Sequence, residues 1–267
     1  MSSPRELWEQ RLADDFTLSG VGFQKLGQPF NTWMYRVRRG VFRRAVHGLG
    51  LGLKQADVLD VGSGTGFYLD CWRGLGVRSV TGCDLTQAAV DQLRRRLPGI
   101  PVHRVDIAEP LPAELPPGSF DAVSCMDVLF HITDDRAYGR AVRNLALLVR
   151  PGGWVLLTDN FLHGLALESP HQVSRPLTEI VGAIEAAGLR VVHRAPAFVL
   201  MNAPVDAGPR WQRVWSLAVR RATRRPVTGW LAGAVLYPVE WLLVRVIREG
   251  PSTELAVCRR SAEGSSG

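Results

Sequence analysis

The sequence predicts an α/β fold built on a mostly parallel sheet. Three observations lead there. From residue 57 onward, short apolar runs alternate with helical patterns, the signature of strands joined by crossover helices. The first run, Asp57-Val58-Leu59-Asp60-Val61, opens straight into Gly62-Ser63-Gly64-Thr65-Gly66, a turn that needs residues without Cβ. Strands then end in acids at regular intervals, Asp60, Asp84 and Asp106, as if along one sheet edge.

The 267 residues suffice for one domain with embellishments, and 46% hydrophobic content is ordinary for a globular chain. The formal charge of +7 raises a nucleic-acid reading. The excess is uneven, however. Residues 1–50 carry 8 basic and 4 acidic side chains, residues 205–249 carry 8 and 3, and the remainder is close to neutral. Nearly all the bases are Arg, with Lys only at 25 and 54. Cys71, Cys83, Cys125 and Cys258 have no C-x-x-C spacing, so neither a zinc site nor a disulfide framework is indicated. The acidic N-terminal stretch, with Glu6, Glu9, Asp14 and Asp15, does not read as a signal peptide. A cytoplasmic location is the expectation.

Taken in order, residues 1–50 read as an N-terminal helical cap. A short helix and a loose connection precede a long helix from Asn31, in which Trp33, Val37, Val41, Ala45 and Leu49 recur every four residues. Arg36, Arg39 and Arg43 make a separate basic face. The first strand is Asp57–Val61, followed by a helix from about Phe67 to Leu75. The second strand is Ser79–Asp84, with a helix starting near Thr86. The third is Val102–Val105, and a proline-rich loop runs from there to Gly118.

Phe120–Cys125 is the fourth strand. Thr133, Asp134 and Asp135 start the next helix, and Arg150-Pro151-Gly152-Gly153 stops it ahead of a fifth strand at Trp154–Thr158. A helix over Pro176–Ala187 and a sixth strand, Leu189–Arg194, follow. The seventh strand, Thr253–Arg259, comes only after a long interruption, read as a helical insertion at 205–249. Trp211, Trp215, Ala218 and Ala222 form an apolar face there, with Arg213, Arg220 and Arg224 on another. Trp230–Ile247 is apolar enough to raise a membrane question, although Glu240, Arg245 and Pro238 lie within it. The tail, 261–267, is small and polar and expected to be disordered.

The run Asp60-x-Gly62-x-Gly64-x-Gly66 resembles the first motif of the class I S-adenosylmethionine-dependent methyltransferases of the small-molecule type. A dinucleotide fingerprint would instead need a third glycine where Phe67 stands. Asp84, some 18 residues beyond the last motif glycine, resembles the second motif. Asp106-Ile107, the segment from Met126 to Ile132, and the R-P-G-G turn match further marks in the right order. The resemblance covers about residues 55–195 plus 253–259, within a core taken as 51–204 and 250–260. It implies a Rossmann-like seven-stranded sheet flanked by helices, with S-adenosylmethionine across the C-terminal ends of the strands.

In that family Asp60, Gly62, Ser63, Gly64, Thr65 and Gly66 would hold the methionine end of the cofactor. Asp84 and Leu85 would take the ribose, Asp106 and Ile107 the adenine, and Met126 would lie near the transferable methyl. Tyr35 or an Arg of the cap would reach the methionine carboxylate, a use such enzymes often make of their N-terminal helices. The expected acceptor is a small molecule, methylated on a hydroxyl of a sugar, lipid-linked or secondary-metabolite compound.

A hydroxyl acceptor calls for a base. His131 and Asp159 are the catalytic candidates, and His163 and His171 the acceptor-binding ones. Asp127, Asp159 and Asn160 also resemble the magnesium set of catechol-type O-methyltransferases. Asp127 falls one residue late for it, so no metal is assigned. An RNA methyltransferase using the Arg-rich cap and insertion, or a non-catalytic protein of the same fold, are the competing readings. The insertion is expected on the acceptor side, with peripheral membrane contact through 230–247 and homodimerisation as further roles.

Overall fold

The computed structural model describes residues 4–262. Most of the tail expected to be disordered, 263–267, lies outside them. The cap holds α1 (Pro4–Asp14), the short α2 (Leu18–Val21) and α3 (Gly27–His47). Then come β1 (Asp57–Val61), α4 (Phe67–Gly74), β2 (Ser79–Asp84), α5 (Gln87–Arg96), β3 (Val102–Arg104) and β4 (Phe120–Cys125). The second half holds α6 (Asp135–Leu148), β5 (Val149–Asp159), the small hairpin β6 (Leu167–Ser169) and β7 (Gln172–Ser174), α7 (Leu177–Ala186) and β8 (Leu189–Pro196). Finally α8 (Pro209–Ala222), α9 (Pro226–Val246) and β9 (Glu254–Arg260) complete the chain.

The main sheet has seven strands in the order β3-β2-β1-β4-β5-β9-β8. The pairs among β1 to β5 are parallel, and β9 runs antiparallel between β5 and β8. The order reverses between β1 and β4, so the helices after β1 and β4 diverge. The crevice they leave at the strands' C-terminal ends is where such sheets bind ligands. One apolar core lies on each face of the sheet.

Local chemistry explains the boundaries. Thr86 and Asp134 cap α5 and α6 by accepting from Ala89 N and Ala137 N. The R-P-G-G turn expected before the fifth strand is instead part of β5. Gly152 takes a φ of 73°, and the pairing with β4 shifts register between Phe120 and Ala122, so the chain bulges without breaking the strand. Pro238 likewise sits inside α9 instead of ending it.

The cap helix α3 is buried on two sides. Phe42 packs on Tyr68 and Trp72 of the core, with centroids 5.0 Å away in each case. On its other flank Trp33 meets Trp230 and Tyr237 of α9, at 5.4 Å each. Helix α9 is pinned there by Glu240, fully buried, which accepts from Val199 N at 2.6 Å and Leu200 N at 2.8 Å. Helix α8 is held separately: Trp215 donates to the Leu200 carbonyl at 2.6 Å and stacks on Phe23. Helix α9 thus docks on the cap far more than on α8.

Candidate active site

A cavity of about 430 Å³ opens over the ends of β1, β2 and β4 and is roofed by α1, α2 and α3. Its floor is the glycine turn. Gly62 adopts a φ of 71°, and a Cβ there would overlap the Val128 side chain. Asp84 lies beside the turn. Its Oδ2 accepts from Gly64 N at 2.8 Å, and its Oδ1 accepts from Thr86 N and Thr86 Oγ1 at 2.9 and 2.8 Å. Burial pushes its pKa up, and these donors oppose that push.

Most of the expected cofactor residues are brought together. Gly62, Ser63, Gly64, Thr65, Asp84 and Leu85 line the cavity, as do Asp106, Ile107, Met126 and Tyr35. Gly66, with a φ of 80°, caps α4 from behind and is not on the wall. Asp60 is not on the wall either, a correction to the expected contact. It lies beneath the turn, where Ser124 Oγ donates to its Oδ1 at 2.6 Å, and burial pushes its pKa to about 7. Its Oδ2 is buried without a partner, and so is Thr65 Oγ1.

Of the acceptor-side candidates, only His131 lines the cavity. It ends a turn of 3-10 helix, Leu129–His131, and Trp8 of α1 meets its ring edge-on at 4.9 Å. Its Nδ1 lies 3.0 Å from the His171 carbonyl. A carbonyl can only accept, so Nδ1 carries the proton and Nε2 has a free lone pair. Burial lowers the ring's pKa to about 4. His171 therefore contributes its backbone, and its ring is off the cavity wall.

Asp159 and His163 must be reassigned. Asp159 is fully buried on the α6 side, accepting from Tyr138 OH at 3.1 Å and Asn160 N at 2.8 Å, with its pKa pushed by burial to about 6. His163 is half-exposed and away from the cavity, its Nδ1 2.5 Å from Asp206 and its Nε2 3.2 Å from Glu249. Those partners raise its pKa, Asp206 most. It ties the loop after β5 to both ends of the insertion.

The magnesium set does not converge either. Asp127 pairs with Arg38, Asp159 turns to Tyr138, and Asn160 donates to Ser174 Oγ. The insertion, expected on the acceptor side, supplies no residue to the cavity wall. It is occupied with the far flank of α3.

Several site residues were not found in the sequence. Glu9 of α1 accepts from Gln87 N and Ala88 N at 2.8 Å each, capping α5 from outside. Arg5 reaches Asp106 at 3.4 Å. The Arg38–Asp127 pair closes another wall, with Arg38 over the Tyr35 and Phe198 rings and Asp127 at a φ of 60°. The positive φ of a non-glycine residue in the site is a form of strain that functional segments often hold.

Comparison with known proteins bears on this geometry. Residues 58–153 match the family described as a methyltransferase domain. The matched segment is a class I S-adenosylmethionine-dependent methyltransferase domain. A ubiquinone biosynthesis O-methyltransferase of Chromobacterium violaceum is 41% identical over 104 residues, which is 38% of this chain and 43% of that protein. One of Albidiferax ferrireducens is 40% identical over 107 residues, 38% and 40% of the two chains. The match thus spans less than half the length of either relative.

Among solved structures, the N-methyltransferase NodS of Bradyrhizobium japonicum, in complex with S-adenosyl-l-homocysteine, superposes with a TM-score of 0.56 at 17% identity, covering 97% of this chain and 99% of that one. The [4+2]-cyclase SpnF gives 0.53 at 20%, covering 86% and 81%. At such identities both show the fold alone. That they differ in chemistry is a reminder that the site, not the sheet, decides function.

S-adenosylmethionine is the cofactor of this methyltransferase domain, and the residues present fit it. Asp84 offers a carboxylate on the cavity wall beside the glycine turn, and Thr65 on the same wall has a buried Oγ1 without a partner.

Proposed function

We propose that the protein methylates an acidic hydroxyl, of the phenol or enol kind, on a small molecule. The observation that carries this reading is the state of His131: Nδ1 fixed on a backbone carbonyl, Nε2 bare, and the ring in the cavity wall. Bound S-adenosylmethionine supplies a methyl group on a sulfonium, an electrophile that needs no activation. What remains for the chain is to hold the acceptor, keep water out and take a proton.

His131 is suited to take that proton from a hydroxyl. A pKa of about 4 leaves the ring neutral and ready at pH 7, but makes it a weak base. Such a base is better matched to a phenol, with a pKa of about 10 in tyrosine, than to a sugar alcohol, which is far less acidic. The apolar side chains of Trp8, Ile107, Val128 and Ile132 on the wall favour a flat, largely apolar acceptor over a sugar. The O-methyltransferase names of the relatives agree with oxygen as the methylated atom. RNA is disfavoured because the arginines of α8 and α9 lie away from the cavity.

The test is a paired acceptor panel, phenols against alkyl alcohols of similar size, with wild type and His131→Gln. Wild type should turn over phenols. The variant should lose about 100-fold in kcat, within the range of general-base effects, while binding the cofactor as before. Faster turnover of the alkyl alcohols, or a fully active variant, would overturn the reading.

A further inference from the structure

Helices α8 and α9 carry most of the exposed large apolar side chains of the described residues. On α9, Val227, Leu231, Val235, Val239, Leu242 and Val246 recur every three or four residues and are 46–71% exposed. They form one continuous stripe opposite the buried Gly229, Gly233, Glu240 and Val244. Trp230 and Trp241 flank that stripe, and Trp211, Val214 and Leu217 of α8 are exposed as well. A contiguous apolar surface of this kind marks an interaction site.

The charges around the stripe are of one sign. Arg210, Arg213, Arg220, Arg221, Arg224, Arg225, Arg245 and Arg248 are all exposed. The one acid between residues 207 and 248 is Glu240, which is fully buried and bonded to backbone. Arginines thus stand at both ends of α9 and along α8, and tryptophans flank the aliphatic stripe, with Arg245 over the Trp241 ring. That is the arrangement of a helix lying in a membrane interface: aliphatic side chains in the acyl region, indoles at the headgroup level, and guanidinium groups on anionic phosphates.

We propose that the α8–α9 face is a monotopic binding surface for an anionic lipid bilayer. Helix α9 is long and apolar enough to cross a membrane. It lies along the surface instead, because Glu240 fastens it to the chain after β8 and Gly233 lets it press against Trp33, where a Cβ would collide with the indole. Its 21 residues present a stripe of about 30 Å parallel to the bilayer.

A second copy of the chain is the competing occupant, and the charges argue against it. In a two-fold interface the same patch meets itself. Both ends of α9 are basic, so either relative direction of the two helices brings arginines together, and the nearest exposed acid, Glu249, is already engaged by His163 and Arg194. The proposal is independent of the acceptor's identity and of His131.

The experiment is co-sedimentation of the 267-residue protein with vesicles of phosphatidylcholine alone or mixed one-to-one with phosphatidylglycerol. Light scattering in the absence of lipid runs in parallel. Binding to the anionic vesicles at least about tenfold tighter than to the neutral ones is expected. It should fall by at least about tenfold in Val235→Asp/Val239→Asp, through the stripe. It should fall similarly in Arg220→Gln/Arg221→Gln/Arg224→Gln/Arg225→Gln, through the charges.

Both variants change exposed positions, so circular dichroism and cofactor affinity should match wild type and certify the fold. Tryptophan emission should shift to the blue on anionic vesicles only. Failure to bind them, or equal binding by the Asp variant, would overturn the proposal. So would a dimer in lipid-free solution that Val235→Asp/Val239→Asp dissociates.

Discussion

The strands β2 and β5 each end in a buried acid, and the structure uses the two acids in different ways. Asp84 sits across from the glycine turn, bonded to Gly64 N, on the wall of the cavity. Asp159 turns the other way, under Tyr138 of α6, where nothing from the cavity reaches it. What separates them is the chain that follows. After Asp84, Thr86 caps a helix and draws the carboxylate into its first turn. After Asp159 no helix begins, and its carboxylate is taken up by Asn160 N and by Tyr138 OH of α6. A place at a strand's C-terminal end fixes the sheet edge; it does not fix the side on which the carboxylate lies.

The largest effects should therefore appear on the β2 side. Gly62→Val puts a branched side chain where even a Cβ overlaps Val128, at a φ that disfavours it, so cofactor binding should fall below detection. Asp84→Ala removes the acceptor for Gly64 and Thr86, and a charge-assisted contact is worth about 1.5–3 kcal/mol. Affinity should drop roughly ten- to hundredfold. Asp159→Asn should leave it unchanged. Titration calorimetry on the three variants decides the matter, and equal losses for Asp84 and Asp159 would erase the distinction.

The same contrast shows what could be read in the sequence. The sheet, its motif order and the cavity floor were legible because strand–turn–helix junctions are local: the residues from Asp60 to Gly66 specify their own geometry. The roof was not. Glu9 caps a helix 78 positions away, and Arg38 pairs with Asp127 across 89, with no local pattern that announces either partner. The hairpin β6–β7 escaped because its strands have three residues each and β6 is exposed throughout, so no apolar run marks it. The insertion was legible as two helices, but not its seat on α3, since an apolar stripe does not name what covers it.

The two misplaced acids offer a sharper test, through pH. Burial raises Asp159 to about 6 and Asp60 to about 7 from a usual value of 3.8. The folded protein thus holds protons that the unfolded chain releases. Stability from these groups is fully present below about pH 4 and is lost as pH rises, through about 6 for Asp159 and about 7 for Asp60. Relative to wild type, Asp159→Asn should gain stability with rising pH up to about 6, and Asp60→Asn up to about 7. Urea midpoints between pH 4.5 and 8 measure the difference. A constant offset across that range would show that neither carboxyl titrates as its burial demands.

The smallest effect should come from the roof, which joins the two sides of the comparison. Helix α1 touches the β2 side through Glu9 and Arg5, and the β4–β5 side through Trp8 on His131. Its own sequence buries only Leu12, so these polar and ring contacts carry much of its docking. Glu9→Gln keeps the shape and one acceptor oxygen but loses the charge at the N-terminus of α5, a change of about 0.5–1 kcal/mol. That loosens the roof without touching the floor. Cofactor affinity should fall by about two- to fivefold, through faster dissociation and not slower association. Stopped-flow fluorescence of Trp8 would follow both rates. If dissociation is unchanged while Asp84→Ala still weakens binding, α1 covers the cavity without restraining what enters it, and the contrast between the two strand ends stands without a roof that couples them.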